Sequence, residues 1–292
     1  MILIIWGEDK STKSTVAMTV VDVYPPAAYM EFDIGGFDRA KGRFRQQIKD
    51  GKFIREYQFR GMSKPVALDY VMPVQGVSID PKTIEIRPSK MVVGMKELWY
   101  RFYAHFMALL ADEKISSIIV DTGTLLWSVC CDGLLQEKQE TQCDDRGNLL
   151  PGQKLRQQLL EIEYKDANQR MRSLFYQAKA RKKNLIVVHH ATDEYKNMLV
   201  KGELTKAPTG KRKIHGWRQL GDSADMVINV YIKMEKQTAP YQADVMGREI
   251  KELPVPHCSV DLCEKLEMVG MEFREPTFEQ LEGVLNIFRG EF

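Results

Sequence analysis

The strongest chemical signal lies in residues 7–15, which follow a short apolar run and precede a segment with helical spacing. The pattern G-x-x-x-x-G-K-[ST] is met at Gly7, Lys13 and Ser14, while Thr12 replaces its second glycine. Such a loop binds phosphate oxygens through backbone N–H groups, its lysine reaches the terminal phosphates, and its serine coordinates Mg²⁺. The alternative is a turn rich in Lys and Ser at a helix start. The predicted nucleotide-contacting residues are Gly7, Glu8, Asp9, Lys10, Ser11, Thr12, Lys13, Ser14 and Thr15.

A second signal is Asp121, which comes directly after residues 115–120, a segment with the composition of a buried strand. An aspartate at the carboxyl end of a buried strand lies at the ligand-binding edge of a parallel sheet. In phosphate-loop enzymes this carboxylate supports the Mg²⁺ ion, so Asp121 and Ser14 are the predicted metal-site residues. An aspartate after a strand also often caps a helix, and the presence of the loop at residues 7–15 is what favours the metal site.

Two more carboxylates, Glu31 and Asp33, lie in residues 28–34, which have the composition of a short strand. Alternation along a strand places both on the same face. Asp33, at the end of this segment, is a candidate to polarise an attacking water molecule, with Glu31 as a second candidate. An ordinary turn aspartate before two glycines is an equally good interpretation.

A pair of histidines follows a further apolar run, so that residues 184–189 end in His189 and His190 follows directly. We expect one of the two to respond to the terminal phosphate, because a polar residue that ends a central strand lies beside the phosphate loop. Ordinary polar residues of the sheet edge, or metal ligands, are the alternatives. The predicted catalytic residues are Lys13, Glu31, Asp33, Asp121, His189 and His190.

Positive charge is concentrated in two segments, although the whole chain carries a formal net charge of only +2. Residues 181–218 hold ten Lys or Arg against three acidic residues, and residues 39–60 hold eight against two. Such segments suggest an anionic partner, although solvated surface loops are the ordinary alternative. Residues 191–221 are predicted to form a basic mobile loop that grips single-stranded nucleic acid or reaches a neighbouring subunit's nucleotide. The predicted nucleic-acid contacts are Lys201, Lys206, Lys211, Arg212, Lys213 and Trp217.

The elements that must position these residues alternate between strands and helices. Apolar residues dominate these strands, and residues 2–6 form a continuous apolar run, which is typical of a strand buried on both faces in a parallel sheet. We therefore predict an α/β fold with a doubly wound, mostly parallel sheet and helices on both faces. The predicted strands are residues 2–6, 28–34, 115–120, 184–189 and 226–234, and the predicted helices are residues 13–23, 93–111, 124–135, 156–183 and 277–289.

Three segments fall outside this alternation. Residues 37–92 contain short strand-like pieces between prolines and are predicted to form a β-rich, basic insertion. Residues 136–157 are predicted to be a loop. Near the end, residues 259–263 and 266–273 are predicted to pair as a hairpin before the last helix. We predict a single domain over residues 1–292.

Composition excludes several classes of protein. The chain has 292 residues, 44% hydrophobic and 28% charged, which argues against disorder, collagen and disulfide scaffolds. The first apolar run is too short for a signal peptide or a membrane span, so we expect a cytoplasmic protein with no membrane partner. Five cysteines without a CxxC pair favour reduced thiols over a zinc site.

Together these segments resemble the RecA-like core P-loop ATPases, and within that class the short phage-type nucleotide-binding proteins that include single-strand-annealing ATPases. The matching sequences are ILIIWGEDKSTKST, YMEFDIGG, SIIVDTGT, LIVVHHATDEY and GDSADMVINV, spread over residues 2–230. Residues 37–92 and 136–157 fit the resemblance less well. The resemblance implies ATP and Mg²⁺ as cofactors, ATP hydrolysis, and binding of single-stranded DNA by a homo-oligomeric ring or filament.

Two positions depart from the pattern of this family. Thr12 replaces a glycine, and Asp33 falls where the family has a catalytic glutamate, which is one methylene longer. The resemblance therefore implies nucleotide binding more strongly than rapid hydrolysis. We expect an ATP-hydrolysing protein that acts on single-stranded DNA in recombination, annealing or replication, together with other proteins of those processes. The alternatives are a nucleotide-gated scaffold or clamp, and the ATPase subunit of another machine such as a helicase loader or packaging motor.

Overall fold

The computed structural model describes residues 1–79, 83–144, 149–200, 203–217, 220–237 and 251–290. Its centre is a sheet built from continuous apolar segments, in the first of which every residue is buried. The strands of the described residues are β1 (Ile2–Gly7), β2 (Ala27–Glu31), β3 (Phe53–Ile54), β4 (Glu56–Tyr57), β5 (Val66–Ala67), β6 (Val77–Ile79), β7 (Ile86–Pro88), β8 (Ser117–Asp121), β9 (Asn184–Val200), β10 (Glu203–Ile214), β11 (Met226–Gln237), β12 (Lys251–Cys263) and β13 (Glu272–Arg274).

The main sheet of the described chain has the spatial order β13-β12-β11-β1-β9-β8-β2-β3, with β10 paired to β9. The strands from β11 to β3 in this order run parallel, whereas β10, β12 and β13 pair antiparallel. Strand β1 lies between β9 and β11, so the loop that follows it leaves from the middle of the sheet. This arrangement confirms the predicted α/β fold with a mostly parallel sheet.

Helices cover both faces of this sheet because alternate residues of each buried strand point to opposite sides. Ile2 and Ile4 belong to one core cluster with apolar residues of the central helices. Leu3 and Ile5 belong to a second cluster with the first and last helices. The helices of the described residues are α1 (Lys13–Met18), α2 (Gly36–Ala40), α3 (Arg45–Lys49), α4 (Met95–Ala111), α5 (Gly123–Glu140), α6 (Tyr164–Ala180) and α7 (Phe278–Arg289).

Residues 37–92 are only partly β-structured, which corrects the first part of the predicted insertion. The short helices α2 and α3 come first, and strands β3 to β7 of two or three residues follow. Strand β3 extends the main sheet beside β2, while β4–β5 and β6–β7 form two separate two-stranded sheets. The strands stay short because prolines, which cannot donate to a ladder, punctuate the segment.

The predicted loop at residues 191–221 is wrong over most of its length. Strand β9 continues past its buried half to Val200 and pairs antiparallel with β10, in a ribbon with a register shift between Pro208 and Arg212. The apolar pattern missed it because the lysines that the structure describes there are exposed, not packed in a core. We call residues 191–214 the basic hairpin.

The end of the chain contains the predicted hairpin, as β12 and β13 with different bounds, and the predicted helix. Strands β11 and β12 pair along their length, residues Leu266–Met268 form a 3-10 turn, and β13 is a three-residue strand beside β12. Helix α7 begins with the expected reciprocal cap between Thr277 and Gln280. In the described part of the chain, every helix is too short or too polar to cross a membrane.

Candidate active site

A cleft of about 540 Å³ opens at the carboxyl ends of the central parallel strands, which is where sheets of this type bind ligands. It combines the loop after β1 with residues at the ends of β2 and β8 and with Val188 and His190 of β9, so distant parts of the sequence share one site. Gly7, Glu8, Glu31 and His189 do not line it. The predicted residues that do line it are Asp9, Lys10, Ser11, Thr12, Lys13, Ser14, Thr15, Asp33, Asp121 and His190.

The backbone of the phosphate loop, residues 7–15, explains two of its residue types. At Gly7 a Cβ atom would lie 2.1 Å from the carbonyl oxygen of Val230, so the close approach of β11 admits no side chain. Thr12 has φ 69° and ψ 17°, a left-handed conformation that favours glycine, directly before α1. Its Oγ1 atom is buried and has no hydrogen-bond partner among the described residues. Thr12 therefore keeps the backbone shape of the glycine it replaces, with local strain.

Lys13 is the first residue of α1 and is only 6% exposed. Its Nζ atom donates a hydrogen bond to the carbonyl oxygen of Glu8 at 2.5 Å and lies 3.5 Å from Ser11 Oγ. Burial lowers the pKa of this ammonium group, and the negative charges of Asp9 and Asp121 oppose the shift. The side chain thus lies over the loop, near the N–H groups that begin the helix, and makes the loop a positive centre.

The two predicted metal-site residues are in direct contact. Ser14 Oγ donates to Asp121 Oδ2 at 2.6 Å, and the hydroxyl of Tyr29 donates to the same oxygen at 2.5 Å. Asp121 is 1% exposed, and burial raises its pKa. A hydroxyl and a carboxylate oxygen side by side suit Mg²⁺, which prefers oxygen ligands and keeps other positions for phosphate and water. The described residues contain no group of three His, Cys, Asp or Glu side chains that could hold a metal.

Strand β2 ends at Glu31, so Glu31 and Asp33 do not share a strand face as predicted. The N–H groups of Phe32 and Asp33 both donate to the carbonyl oxygen of Asp121, at 2.6 and 3.1 Å, and this draws the chain out of the ladder. Asp33 lines the cleft and pairs with Arg39 at 2.7 Å. Arg39 lines the cleft as well. No motif marks this arginine in the sequence, and only the tertiary structure reveals it.

Glu31 lies beneath the cleft and is 2% exposed. Its Oε1 atom accepts a hydrogen bond from the N–H group of Phe37 at 2.9 Å, and its Oε2 atom pairs with Arg55 at 2.7 Å. Arg55 also pairs with Asp69 at 2.5 Å. Burial raises the pKa of Glu31. These contacts make Glu31 a support for the end of β2, and they give the insertion that supplies Arg55 a structural role.

The two histidines point to different surroundings, as successive residues of a strand do. His190 lines the cleft, with Nδ1 3.1 Å from Asp9 Oδ1. His189 is completely buried, with Nδ1 3.1 Å from the carbonyl oxygen of His215 and its ring against that of Trp217. Burial lowers the pKa of His189 to about 4, so its imidazole is neutral at pH 7. Response to a bound phosphate stays a prediction, and the geometry favours His190 for it.

The basic hairpin is attached to the phosphate loop by one arginine. Arg212 pairs with the two carboxylate oxygens of Glu8 at 2.5 and 2.6 Å, and with Asp193 at 2.5 Å. The hydrogen bonds from Arg212 lower the pKa of Glu8. All three side chains are substantially exposed, so water and salt reach these ion pairs.

The predicted nucleic-acid contacts divide into three groups. Lys206, Lys211 and Lys213 are exposed on the hairpin together with Arg212. Lys201 lies outside the described residues. Trp217 is 4% exposed and packs edge-on against Phe175, so this aromatic residue is part of the core and is not available for stacking on the outer surface of the hairpin.

No protein-family model matches the chain, and no curated protein matches it. Matching solved structures include a KaiC-like protein from the hyperthermophilic archaeon Pyrococcus horikoshii OT3 and the RadB recombinase. The KaiC-like protein has 10% identity and a TM-score of 0.40, over 94% of this chain and 83% of that chain. The RadB recombinase has 10% identity and a TM-score of 0.42, over 94% and 85%. These values are low, so the chemistry is assigned from the cleft alone.

Proposed function

We propose that this protein is a RecA-like phosphate-loop ATPase that binds Mg-ATP in the cleft and acts on single-stranded DNA. The observation that carries the proposal is the 2.6 Å contact between Ser14 and Asp121, which are 107 residues apart in the sequence, beside the buried Lys13. A turn that merely resembled a phosphate loop would not need this carboxylate next to its serine.

Each residue of the cleft has a chemical role in this proposal. The N–H groups at the start of α1 and Lys13 bind the phosphates and offset the charge that develops on them during transfer. Ser14 and Asp121 would hold Mg²⁺, which would neutralise charge on the phosphates. Asp33 orients the attacking water, and Arg39 fixes the position of that carboxylate through its ion pair.

The link to DNA rests on the basic hairpin. Its exposed lysines, on a ribbon that continues directly from β9, provide a surface for phosphates of a single strand. The contacts of Arg212 with Glu8 and of His190 with Asp9 connect this ribbon to two consecutive residues of the phosphate loop. Negative charge that enters the cleft competes with Glu8 for Arg212, so nucleotide binding and the position of the hairpin are coupled.

The test is phosphate release from Mg-ATP, measured with and without single-stranded DNA. We expect turnover that DNA stimulates and that falls by a factor of about 100 or more in Lys13→Ala. Lys49→Ala, which removes an exposed lysine of α3 outside the cleft, is the matched control and should retain the parent rate. Asp33→Ala should also abolish turnover, because the water would lose its base.

One structural feature favours slow turnover: the carboxylate of Asp33 is shared with Arg39 and is shorter than a glutamate. Tight ATP binding without phosphate release, even with DNA, would identify a nucleotide-gated clamp instead of an ATPase. Turnover that requires a protein partner and ignores DNA would identify the ATPase subunit of another machine. Equal ATP binding by the parent and Lys13→Ala would refute the proposed site.

A further inference from the structure

A second cavity, of about 610 Å³, is lined mainly by residues of α5 and α6 and by Gly216 and Trp217, and it shares no lining residue with the cleft. Trp217, in its wall, packs against His189, whereas the next residue, His190, lines the cleft. Two further aromatic residues, Trp127 of α5 and Tyr164 of α6, complete this wall. The ring centroid of Trp127 lies 6.4 Å from that of Tyr164 and 6.3 Å from that of Trp217. Three aromatic rings therefore surround a space that is as large as the cleft.

Two buried polar atoms of the cavity residues lack hydrogen-bond partners. The Nε1 donor of Trp217 and the Oδ1 acceptor of Asn168 are both shielded from solvent, and neither has a partner among the described residues. Buried polar atoms in folded proteins are nearly always paired, so this donor and this acceptor would gain partners if the wall opened to a ligand. That ligand must offer one acceptor and one donor.

We propose that this cavity binds an unstacked nucleobase of single-stranded DNA. This inference rests on the proposed function and names the part of the DNA that the cavity would recognise. A base has a flat face that stacks on aromatic rings and an edge that carries both an acceptor and a donor. The lining also carries Glu161, Lys165 and Arg172, so charged groups of both signs lie beside the aromatic rings.

The route into the cavity passes exposed side chains. Tyr164 is 39% exposed and Lys165 is exposed as well, so both have room to move aside when a base enters. The basic hairpin begins within β9, two residues after His189, and ends three residues before Trp217. A DNA strand whose phosphates contact the hairpin would thus have a base pocket next to it. Different residues would then bind the bases and the phosphates.

Oligothymidylate and an abasic oligonucleotide of equal length test the proposal on the full chain without ATP. The two carry the same phosphates, so only the first can fill a base pocket. We expect oligothymidylate to bind about tenfold more tightly. It should also quench the protein's fluorescence, because two of the four tryptophans line the cavity. Equal affinity for both strands, with no quenching, would overturn the proposal.

Two variants locate the effect. Tyr164→Ala should weaken the binding of oligothymidylate by about tenfold and leave the abasic strand unaffected. Tyr176→Ala is the matched control, because Tyr176 lies on the same helix, is 58% exposed and does not line the cavity. Trp217→Phe removes Nε1 but keeps a ring in the core, and it should weaken the binding of oligothymidylate as well. Equal losses in Tyr164→Ala and Tyr176→Ala would contradict the assignment.

Free thymidine monophosphate distinguishes a cavity that binds a base within a DNA strand from one that binds a free nucleotide. Quenching by the mononucleotide at the affinity of the oligonucleotide would overturn a strand-binding role, because the cavity would then be a site for a free nucleotide. This assay does not depend on ATP. A failure of the ATPase proposal, seen as Lys13-independent phosphate release, is therefore distinguishable from a failure of the base pocket.

Discussion

The cleft and the basic hairpin both place charges next to the phosphate loop, but they differ in their exposure to water. In the cleft, Asp121 is 1% exposed and Lys13 is 6% exposed. In the hairpin contact, the side chains of Arg212 and Glu8 are 43% and 56% exposed. Buried polar groups interact strongly and are costly to leave unpaired, whereas exposed ion pairs are weak and screened by salt. The cleft is thus suited to hold one geometry, and the hairpin contact is suited to exchange partners.

The largest expected effect follows from substitution of the buried carboxylate. Asp121→Asn removes the negative charge that would hold Mg²⁺ and should lower ATP turnover by a factor of about 100 or more. The free energy of unfolding should not decrease, because burial already disfavours the charged form of Asp121. Phosphate release and urea unfolding measure the two effects. An active variant would remove Asp121 from the site.

The second prediction concerns the ion pair beneath the cleft. Glu31→Gln keeps an acceptor for the N–H group of Phe37 but leaves Arg55 without its buried partner. We expect a loss of about 2 kcal/mol in the free energy of unfolding, less than for a fully buried pair because Arg55 is partly exposed. Urea titration measures it. A change in turnover at unchanged stability would instead make Glu31 a catalytic residue.

The third prediction uses the buried histidine as a reporter of pH. The unfolded chain protonates His189 with a pKa of about 6.5, whereas the folded protein does so only near pH 4. The unfolded state therefore binds more protons between these values, and stability falls as the pH falls. From pH 7 to 5 this group should cost the protein about 2 kcal/mol. In His189→Asn that part of the loss should disappear, and an unchanged pH dependence would contradict the neutral buried imidazole.

The smallest effect on stability is expected at the hairpin contact. Arg212→Gln removes ion pairs that solvent and salt already weaken, so the unfolding midpoint should not change measurably. What should change is the effect of ATP on DNA affinity, because the hairpin loses its contact with the phosphate loop. DNA titrations with and without ATP measure this coupling. A large loss of stability would show that the hairpin contact is structural, like the pairs in the cleft.

The sequence predicts the buried part of the fold well and the exposed part poorly. Residues 2–6 are a continuous apolar run, residues 115–120 end in three apolar residues, and both segments prove to contain strands of the parallel core. The basic hairpin carries no such run, because its ladder is made by backbone groups while its described lysines face solvent. Backbone pairing of this kind leaves no periodic signal in the side chains, so a loop was the natural expectation.

The candidate site shows the same division. The sequence predicts Lys13, Ser14 and Asp121, because a motif and a strand end fix their positions. The sequence does not predict the contributions of Tyr29, Arg39 and Arg55, because each reaches its partner only through the tertiary structure. Trp217 shows another limit: an aromatic residue within a basic segment predicts base stacking on the surface, whereas its ring packs beside His189 in the wall of the second cavity.

The most direct test of the central claim is the affinity for Mg-ATP, measured by calorimetry on the parent, Lys13→Ala and Lys49→Ala. The account predicts one site per chain in the parent and in Lys49→Ala. Binding by Lys13→Ala should be weaker by a factor of about 10 to 100, as expected when a charge-assisted hydrogen bond to phosphate is lost. Equal affinities in all three proteins would contradict it, because ATP would then bind outside the cleft.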